Sequence, residues 1–259
     1  MKVDSLQEIQ KGILELLKRF HSICINNNIF YTLEGGTLLG SIREKGFVPW
    51  DDDGDISMSR ADYEKFKQCL PKYESESNIY LEKDNDKAVK IWLKGSNPPV
   101  WVDIFIFDYI SENKLEQKIK INCIKLFSAF TKNEVSIQQF RVNNRAKGIT
   151  RIIYECIYNA GKAIPMEKRI KLFHSFCEKH LTGSKSLIFR SNIEIKYLPI
   201  TLDAKKTFTY QLNHFEDAEL MISQNYHEIL TKLYGDNYMV PVRFDNTHDK
   251  IHDISRNSK

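Results

Sequence analysis

The first 25 residues follow the spacing of an amphipathic helix. Apolar side chains recur every three or four positions with Lys, Glu and Arg between them, which is the period of an α-helix with one buried face. The apolar positions are Leu6, Ile9, Ile13, Leu16, Leu17, Phe20, Ile23 and Cys24. The pattern stops before the run of three Asn at 26–28, so we predict a helix that ends there and packs on a core.

Four further segments up to residue 110 have strand character. They are rich in β-branched and aromatic residues, and segments containing glycine or proline separate them. The predicted strands cover residues 29–33, 51–58, 87–93 and 100–110. We also predict a short helix over 37–44, and a second helix that Ser59 caps and Pro71 ends.

The remainder of the chain predicts a basic helical region followed by a mixed one. Residues 112–185 have helical spacing and carry 15 Lys and Arg against 6 Asp and Glu, a local excess of nine positive charges. Residues 207–210 predict a strand, and a helix over 226–233 should end at Gly235. We therefore predict an α+β fold, with a mixed sheet flanked by helices and a mainly helical basic insertion.

We expect three divisions of the chain. They are a catalytic core over 1–110, the basic helical region over 111–205 on the acceptor side, and a C-terminal region over 206–259 that packs back on the core.

Composition excludes several classes of protein. Of 259 residues, 42% are hydrophobic and 28% charged, enough apolar surface to bury a core. The mean hydropathy is −0.43, and no apolar run approaches the length of a membrane span. The five cysteines lack a Cys-x-x-Cys pair, and residues 1–8 lack the apolar centre of a signal peptide. We therefore expect a cytoplasmic protein with reduced thiols.

A pair of carboxylates on the second predicted strand is the first indication of chemistry. Asp53 and Asp55 are two residues apart, so on a strand both project from one face. Their charges repel unless a cation lies between them, and carboxylate oxygens favour Mg²⁺ or Mn²⁺. Asp51 shares that face and would lie behind the pair. A solvated acidic turn is the alternative explanation.

Asp103 lies within the hydrophobic run from Val100 to Phe107. Such a run predicts a strand buried on both faces, where an unpaired carboxylate is costly, so Asp103 needs an Arg, Lys or metal partner. A metal ion shared with Asp53 and Asp55 would satisfy all three acids. A salt bridge in the core would satisfy Asp103 alone.

Gly35, Gly36 and Thr37 stand between the first predicted strand and the short helix. Where side chains are absent, backbone N–H groups and a helix N-terminus can approach phosphate oxygens. A tight turn is the simpler explanation of two glycines. The order of motifs favours the phosphate site, because Asp-x-Asp on one strand and a single Asp on a later strand follow the glycines.

This order is similar to that of the nucleotidyltransferase superfamily, and the local sequence resembles the LicD family. That family includes bacterial phosphorylcholine transferases and is related to the fukutin group. The resemblance rests on residues 31–56, which read YTLEGGTLLGSIREKGFVPWDDDGDI, and it continues in residues 60–66, 102–105, 234–236 and 238–241. Gly54 and Ser41 depart from the family's usual residues, which predicts looser packing behind the acids.

The resemblance implies a nucleotidyltransferase-like core with two-metal catalysis. Such an enzyme would transfer phosphocholine or a similar phospho-alcohol from a CDP-linked donor to a hydroxyl of a cell-surface glycan or its lipid-linked precursor. Asp53, Asp55 and Asp103 would be catalytic and would hold Mg²⁺ or Mn²⁺, with Asp51 supporting them. The implied donor-binding residues are Gly35, Gly36, Thr37, Arg43 and Trp50.

Two of these residues have alternative explanations. The resemblance implies that Arg43 neutralises the leaving CMP, but a salt bridge would also explain it. Trp50 would stack on the base, whereas packing against the core is the commoner role of an aromatic residue beside a strand.

Two other functions are open from the sequence. A nucleotidyltransferase proper would use the same acids to move a nucleoside monophosphate to a small molecule, a protein or RNA. A degenerate member would bind a partner without turnover, but the loss of an acid would be expected, and Asp53, Asp55 and Asp103 are all present.

The basic region also predicts where the protein works. Its positive charge favours contact with phosphate-rich glycan or anionic lipid, and hence a peripheral position at the inner face of the membrane. Solvated surface charge is the alternative. Nucleic acid is not an expected partner, because the pI is near 8.6 and no RNA or DNA module is recognised.

Overall fold

The computed structural model describes residues 3–82, 87–142, 148–180 and 183–241. The helices are α1 (Val3–Asn26), α2 (Gly35–Arg43), α3 (Arg60–Cys69), α4 (Glu74–Ser77), α5 (Lys114–Phe130), α6 (Glu134–Val142), α7 (Gly148–Gly161), α8 (Met166–Glu178), α9 (Ala204–Thr207) and α10 (Tyr226–Tyr234). The strands are β1 (Thr32–Leu33), β2 (Asp55–Ser59), β3 (Ile79–Leu81), β4 (Val89–Leu93), β5 (Trp101–Ile110), β6 (Leu187–Arg190), β7 (Thr201–Asp203), β8 (Tyr210–Phe215) and β9 (Ala218–Ser223). No helix in these ranges is long and apolar enough to cross a bilayer.

Within the described ranges, seven strands form one sheet around β5. On one side β5 is parallel to β2. On the other side its first half pairs with β4 and its second half with β6, both antiparallel. β1, β3 and β7 extend the sheet, and β8 and β9 form a separate hairpin. The fold is therefore α+β with a mixed sheet, as the sequence predicts.

Helix α1 packs on one face of this sheet. Ile13, Leu16 and Phe20 are at most 1% exposed, as their spacing predicts. The packing is close at Gly54, where a Cβ would stand 2.7 Å from Cγ2 of Ile13 and 3.0 Å from Cγ2 of Val102. The expectation of looser packing behind the acids is therefore wrong at Gly54, because the missing side chain is what lets α1 approach the sheet.

The region after β5 is helical, but its chain also returns to the sheet. Helices α5 and α8 bury one hydrophobic cluster with β6, and α5, α6 and α7 bury another. The pairing of β6 with β5 and of β7 with β6 was not predicted. The buried ammonium of Lys120 donates to the carbonyl oxygens of Tyr109 and Cys177 at 3.1 and 2.8 Å, and so ties α5 to β5 and α8.

Several predicted elements begin two or more residues away from the expected position. β1 begins at Thr32 and not at residue 29. β2 begins at Asp55, because residues 51–54 form a loop in which the carbonyl oxygen of Asp51 accepts a hydrogen bond from the Gln10 amide of α1 at 2.9 Å. α2 begins at Gly35, because Glu34 is its N-cap and accepts from the Gly35 N–H.

The strand predicted over 207–210 is wrong. The carboxylate of Asp203 caps the backbone N–H of Lys206, so the chain forms the one-turn helix α9 before β8 begins at Tyr210. The helix predicted over 226–233 is confirmed as α10, and Gly235 ends it with φ of +87°.

Candidate active site

The predicted acids meet where β2 and β5 run side by side. The parallel register pairs Asp55 with Asp103, and the Asp103 N–H donates to the carbonyl oxygen of Gly54 at 2.8 Å. Paired residues on adjacent strands project from the same face, about 5 Å apart. Asp53 precedes β2, and its carboxylate interacts electrostatically with those of Asp51, Asp55 and Asp103. Four carboxylates therefore share one site.

The glycine turn packs directly against these acids. A Cβ on Gly35 would stand 2.5 Å from Oδ2 of Asp55, and a Cβ on Gly36 would collide with Oδ2 of Asp51. Oγ1 of Thr37 accepts a hydrogen bond from the Asp55 N–H at 2.9 Å. The N-terminus of α2 therefore lies beside the acids, and the absence of side chains at 35 and 36 lets the carboxylates of Asp55 and Asp51 occupy these positions.

Burial and mutual repulsion shift the pKa values of three of the acids. Burial, then the neighbouring Asp53 and Asp103, raises the pKa of Asp55 well above its ordinary value. Burial, then Asp53, raises the pKa of Asp51 to about 8. Burial also raises the pKa of Asp103, although the ammonium of Lys90, 3.4 Å away, opposes the shift. The four acids therefore ionise together only at a cost in free energy unless a cation lies among them.

The prediction that Asp103 is buried on both faces is wrong. Its side chain is 23% exposed, because the first half of β5 alternates between a buried and a partly exposed face and Asp103 lies on the latter. Its cationic neighbour is Lys90, which the register places opposite it on β4.

The donor set fits a hard divalent cation. Carboxylate oxygens are the ligands that Mg²⁺ and Mn²⁺ prefer, and an ion would relieve the repulsion among the acids. Within the described ranges, no three His, Cys, Asp or Glu side chains are grouped so that they could hold a metal ion by themselves. Mg²⁺ is commonly bound through one or two carboxylates together with water and substrate phosphates. Asp53 and Asp55 fit that mode, and a metal shared with Asp103 remains a prediction.

A buried ion pair behind the glycine turn was missed by the sequence analysis. Glu34 and Arg190 are each 1% exposed, and Nε of Arg190 donates to Oε2 of Glu34 at 2.8 Å. Oγ of Ser57 donates to the same oxygen at 2.7 Å. Glu34 directly precedes the two glycines, and this position in the motif could have marked it as a residue of the site. Arg190 is 156 residues further along the chain, and no feature of the sequence around it indicates a role in the site.

Arg43 and Trp50 are held by other contacts. The Arg43 side chain, 7% exposed, donates to Oε1 of Glu44 at 2.6 Å and to the carbonyl oxygen of Tyr238 at 3.2 Å. Trp50 is half-buried and packs against the main hydrophobic core. These contacts match the salt-bridge and core-packing explanations, and the donor-binding role of each residue remains a prediction.

Tyr234, at the end of α10, is a further residue of the site. Burial, then the carboxylates of Asp55, Asp51 and Glu34, raises the pKa of its phenol. Helix α10 packs on α2, which brings this side chain to the acids. The residue occurs in one of the motifs that carried the resemblance, but the sequence alone assigned it no role.

The acid cluster predicts that the protein without divalent ions loses stability as the pH rises. The pKa of Asp51 is about 8 in the folded protein, and the ordinary value in an unfolded chain is near 4. The contribution of this group to the free energy of unfolding is therefore fully present below about pH 4. It is lost as the pH rises from about 4 to about 8. In chelator, the loss of Tm between pH 5 and 8 should be smaller for Asp51→Asn than for the wild type. Mg²⁺ should raise the wild-type Tm more at pH 8 than at pH 5. Identical pH profiles for the two proteins would contradict the prediction.

Known proteins with similar sequences agree with the resemblance. Residues 28–147 match the family model described as LicD/FKTN/FKRP, nucleotidyltransferase domain, and this range contains the glycine turn and the four acids. The chain is 29% identical over 266 residues to lipopolysaccharide cholinephosphotransferase LicD of Haemophilus influenzae, a match that covers 95% of this chain and 96% of that protein. An uncharacterized protein of Rickettsia typhi is 30% identical over 139 residues, which cover 46% of this chain and 42% of that protein. The chain therefore carries a LicD-family nucleotidyltransferase domain, and over 95% of its length it is similar to a protein named as a cholinephosphotransferase.

Proposed function

We propose that this chain transfers phosphocholine, or a similar phospho-alcohol, from a CDP-linked donor to a hydroxyl of a cell-surface glycan or its lipid-linked precursor. The observation that carries the proposal is the similarity over nearly the whole chain to a protein named lipopolysaccharide cholinephosphotransferase. Additional support comes from four carboxylates that lie together beside a glycine turn at a helix N-terminus.

The reaction forms one bond at phosphorus and breaks another. The acceptor hydroxyl oxygen attacks the phosphorus that carries the alcohol, and the bond from that phosphorus to the bridging oxygen breaks. CMP leaves with the bridging oxygen and its electron pair, and the hydroxyl proton passes to a base. Asp103 is our candidate for that base, because the register places it beside Asp55 on the partly exposed face of the sheet.

The other residues of the site bind and orient the diphosphate. Asp53 and Asp55 would hold Mg²⁺ or Mn²⁺, and Asp103 would contribute to a second metal site. Ions held by these residues would supply positive charge that stabilises the attacking and leaving oxygens. Backbone N–H groups of Gly36 and Thr37 at the start of α2 would donate to phosphate oxygens. Glu34 fixes that helix end through its contacts with β2 and β6.

We also propose that the protein binds its acceptor at a membrane surface. Residues 112–185 carry the excess of nine positive charges. On α7, Ile149, Ile152 and Ile153 are 46–73% exposed and lie three or four residues apart, so they share one face. An exposed apolar stripe within a basic region is typical of helices that contact anionic lipid.

The test is a product assay with the purified protein, Mg²⁺ and lipopolysaccharide. CDP-choline, CDP-glycerol and CDP-ribitol are compared as donors, and we expect CMP release that requires the acceptor. Pyrophosphate released from a nucleoside triphosphate would instead support a nucleotidyltransferase, and no product with a folded protein would support a binding role.

The membrane proposal has its own test, which compares the rate with vesicle-embedded lipopolysaccharide and the rate with its delipidated oligosaccharide. Equal rates would contradict the membrane proposal.

A further inference from the structure

The partly exposed face of the sheet continues from the acids to the sheet edge at β3. Asp55 is paired with Asp103 across β2 and β5, and Asp103 is paired with Lys90 on β4. Two residues before Asp103 on the same face is Trp101, which is paired with Trp92. The whole face can therefore be followed outward from the acids by register alone.

Three aromatic side chains form a row on this face, which we call the aromatic row: Tyr80, Trp92 and Trp101. Tyr80 is paired with Trp92, and their ring centroids are 6.5 Å apart with planes 11° from parallel. The centroids of Trp92 and Trp101 are 5.0 Å apart. Tyr80 is 42% exposed and the two indoles are partly exposed. The row spans three strands, a width of about 10 Å.

Polar groups border the aromatic row on the side of the acids. Nε1 of Trp92 donates to Oε2 of Glu82 at 3.1 Å, which fixes the orientation of that indole. Nζ of Lys90 lies 4.5 Å from the ring centroid of Trp101 and 3.4 Å from Oδ1 of Asp103. Oriented rings beside charged hydrogen-bonding groups are the composition of a binding surface for a polar ligand with apolar faces.

The charges beside the row determine which ligand fits. An anionic ligand would be repelled by Glu82, Asp103 and the other acids. A quaternary ammonium group would meet the ammonium of Lys90, which already lies over the Trp101 ring. A neutral sugar ring carries no charge to be repelled. Lys90 covers the ring of Trp101, so the C–H groups of a sugar would pack on the exposed parts of the Tyr80 and Trp92 rings while its hydroxyls bond to the charged neighbours.

We propose that the aromatic row is a sugar-binding site that holds the acceptor glycan with its reacting hydroxyl toward Asp103. The inference rests on the proposed function for the identity of the glycan as acceptor. The position of the aromatic row does not depend on the proposed function, because strand register alone places the row between the sheet edge and the acids.

Steady-state kinetics of Trp92→Ala and Tyr80→Ala test the proposal, with the oligosaccharide released from Haemophilus influenzae lipopolysaccharide as acceptor. Loss of one stacking ring should raise the KM for the oligosaccharide about tenfold, while kcat and the KM for CDP-choline change less than about twofold. Trp92→Phe should restore much of the loss. Phe30→Ala is the matched control, because Phe30 is 45% exposed, stacks on Tyr210 and precedes β1 at the opposite edge of the sheet.

A binding measurement separates this proposal from the proposed function. The protein has three tryptophans, so an NMR spectrum of indole N–H groups contains one signal each for Trp50, Trp92 and Trp101. The oligosaccharide alone should shift the signals of Trp92 and Trp101, even if no CDP donor supports turnover. Two results would overturn the aromatic row as the acceptor site. One is that neither indole signal shifts at high oligosaccharide concentration. The other is that the variants raise the KM for CDP-choline and leave the KM for the oligosaccharide unchanged.

Discussion

Replacing Asp55 with Asn should lower turnover by about 10²–10³-fold or more while the fold persists. Asp55 is the acid around which the others cluster, and the amide removes a charge that would hold a divalent ion. The backbone N–H of Asp55 would still donate to Thr37, so β2 should keep its place. Without metal, the Tm should rise by about 2–4 °C, because repulsion from Asp53 and Asp103 is relieved.

The measurement pairs acceptor-dependent CMP release with thermal unfolding in chelator. Asp203→Asn is the matched control, since asparagine caps a helix as well as aspartate and the Asp203 side chain caps α9, a helix that is not part of the acid cluster. Its turnover and Tm should be unchanged. Wild-type turnover in both Asp53→Asn and Asp55→Asn would refute the assignment of the acids, and a lowered Tm would mean that Asp55 has a structural role.

Replacing Glu34 with Gln should lower the free energy of unfolding by about 3–5 kcal/mol, because it leaves the buried guanidinium of Arg190 without its counter-charge. Turnover should also fall, since Glu34 is the N-cap of α2 and α2 presents the glycine turn to the acids. Urea-induced unfolding measures the first effect, and CMP release by the folded fraction measures the second.

Two variants separate the ion pair from general damage. Asp217→Asn breaks an exposed pair with Lys18 and should leave the unfolding midpoint unchanged. Glu34→Leu combined with Arg190→Met replaces both buried charges by apolar groups and should recover stability without restoring turnover. If Glu34→Gln has the same urea midpoint of unfolding as the wild type, the ion pair contributes little to stability.

Local pattern predicted the elements that frame the site. The stripe on α1, the Ser59 cap of α3 and the hydrophobic run of β5 each follow from residues adjacent in sequence, and all three are confirmed. The hairpin of β8 and β9 was missed. The first five of the six side chains on β8 are partly or fully exposed, so the alternation that marks a half-buried strand is weak there.

The sequence by itself determined that an acidic pair, a glycine turn and a later lone aspartate exist in this order, because those signals depend on spacing along a few residues. Only the tertiary structure decided that Asp103 is in register with Asp55, that Arg190 pairs with Glu34, and that Trp92 and Trp101 lie beside the acids. These contacts join segments that lie far apart in the chain or on separate strands. Strand register and the packing of the whole sheet fix them, and local periodicity carries no information about either.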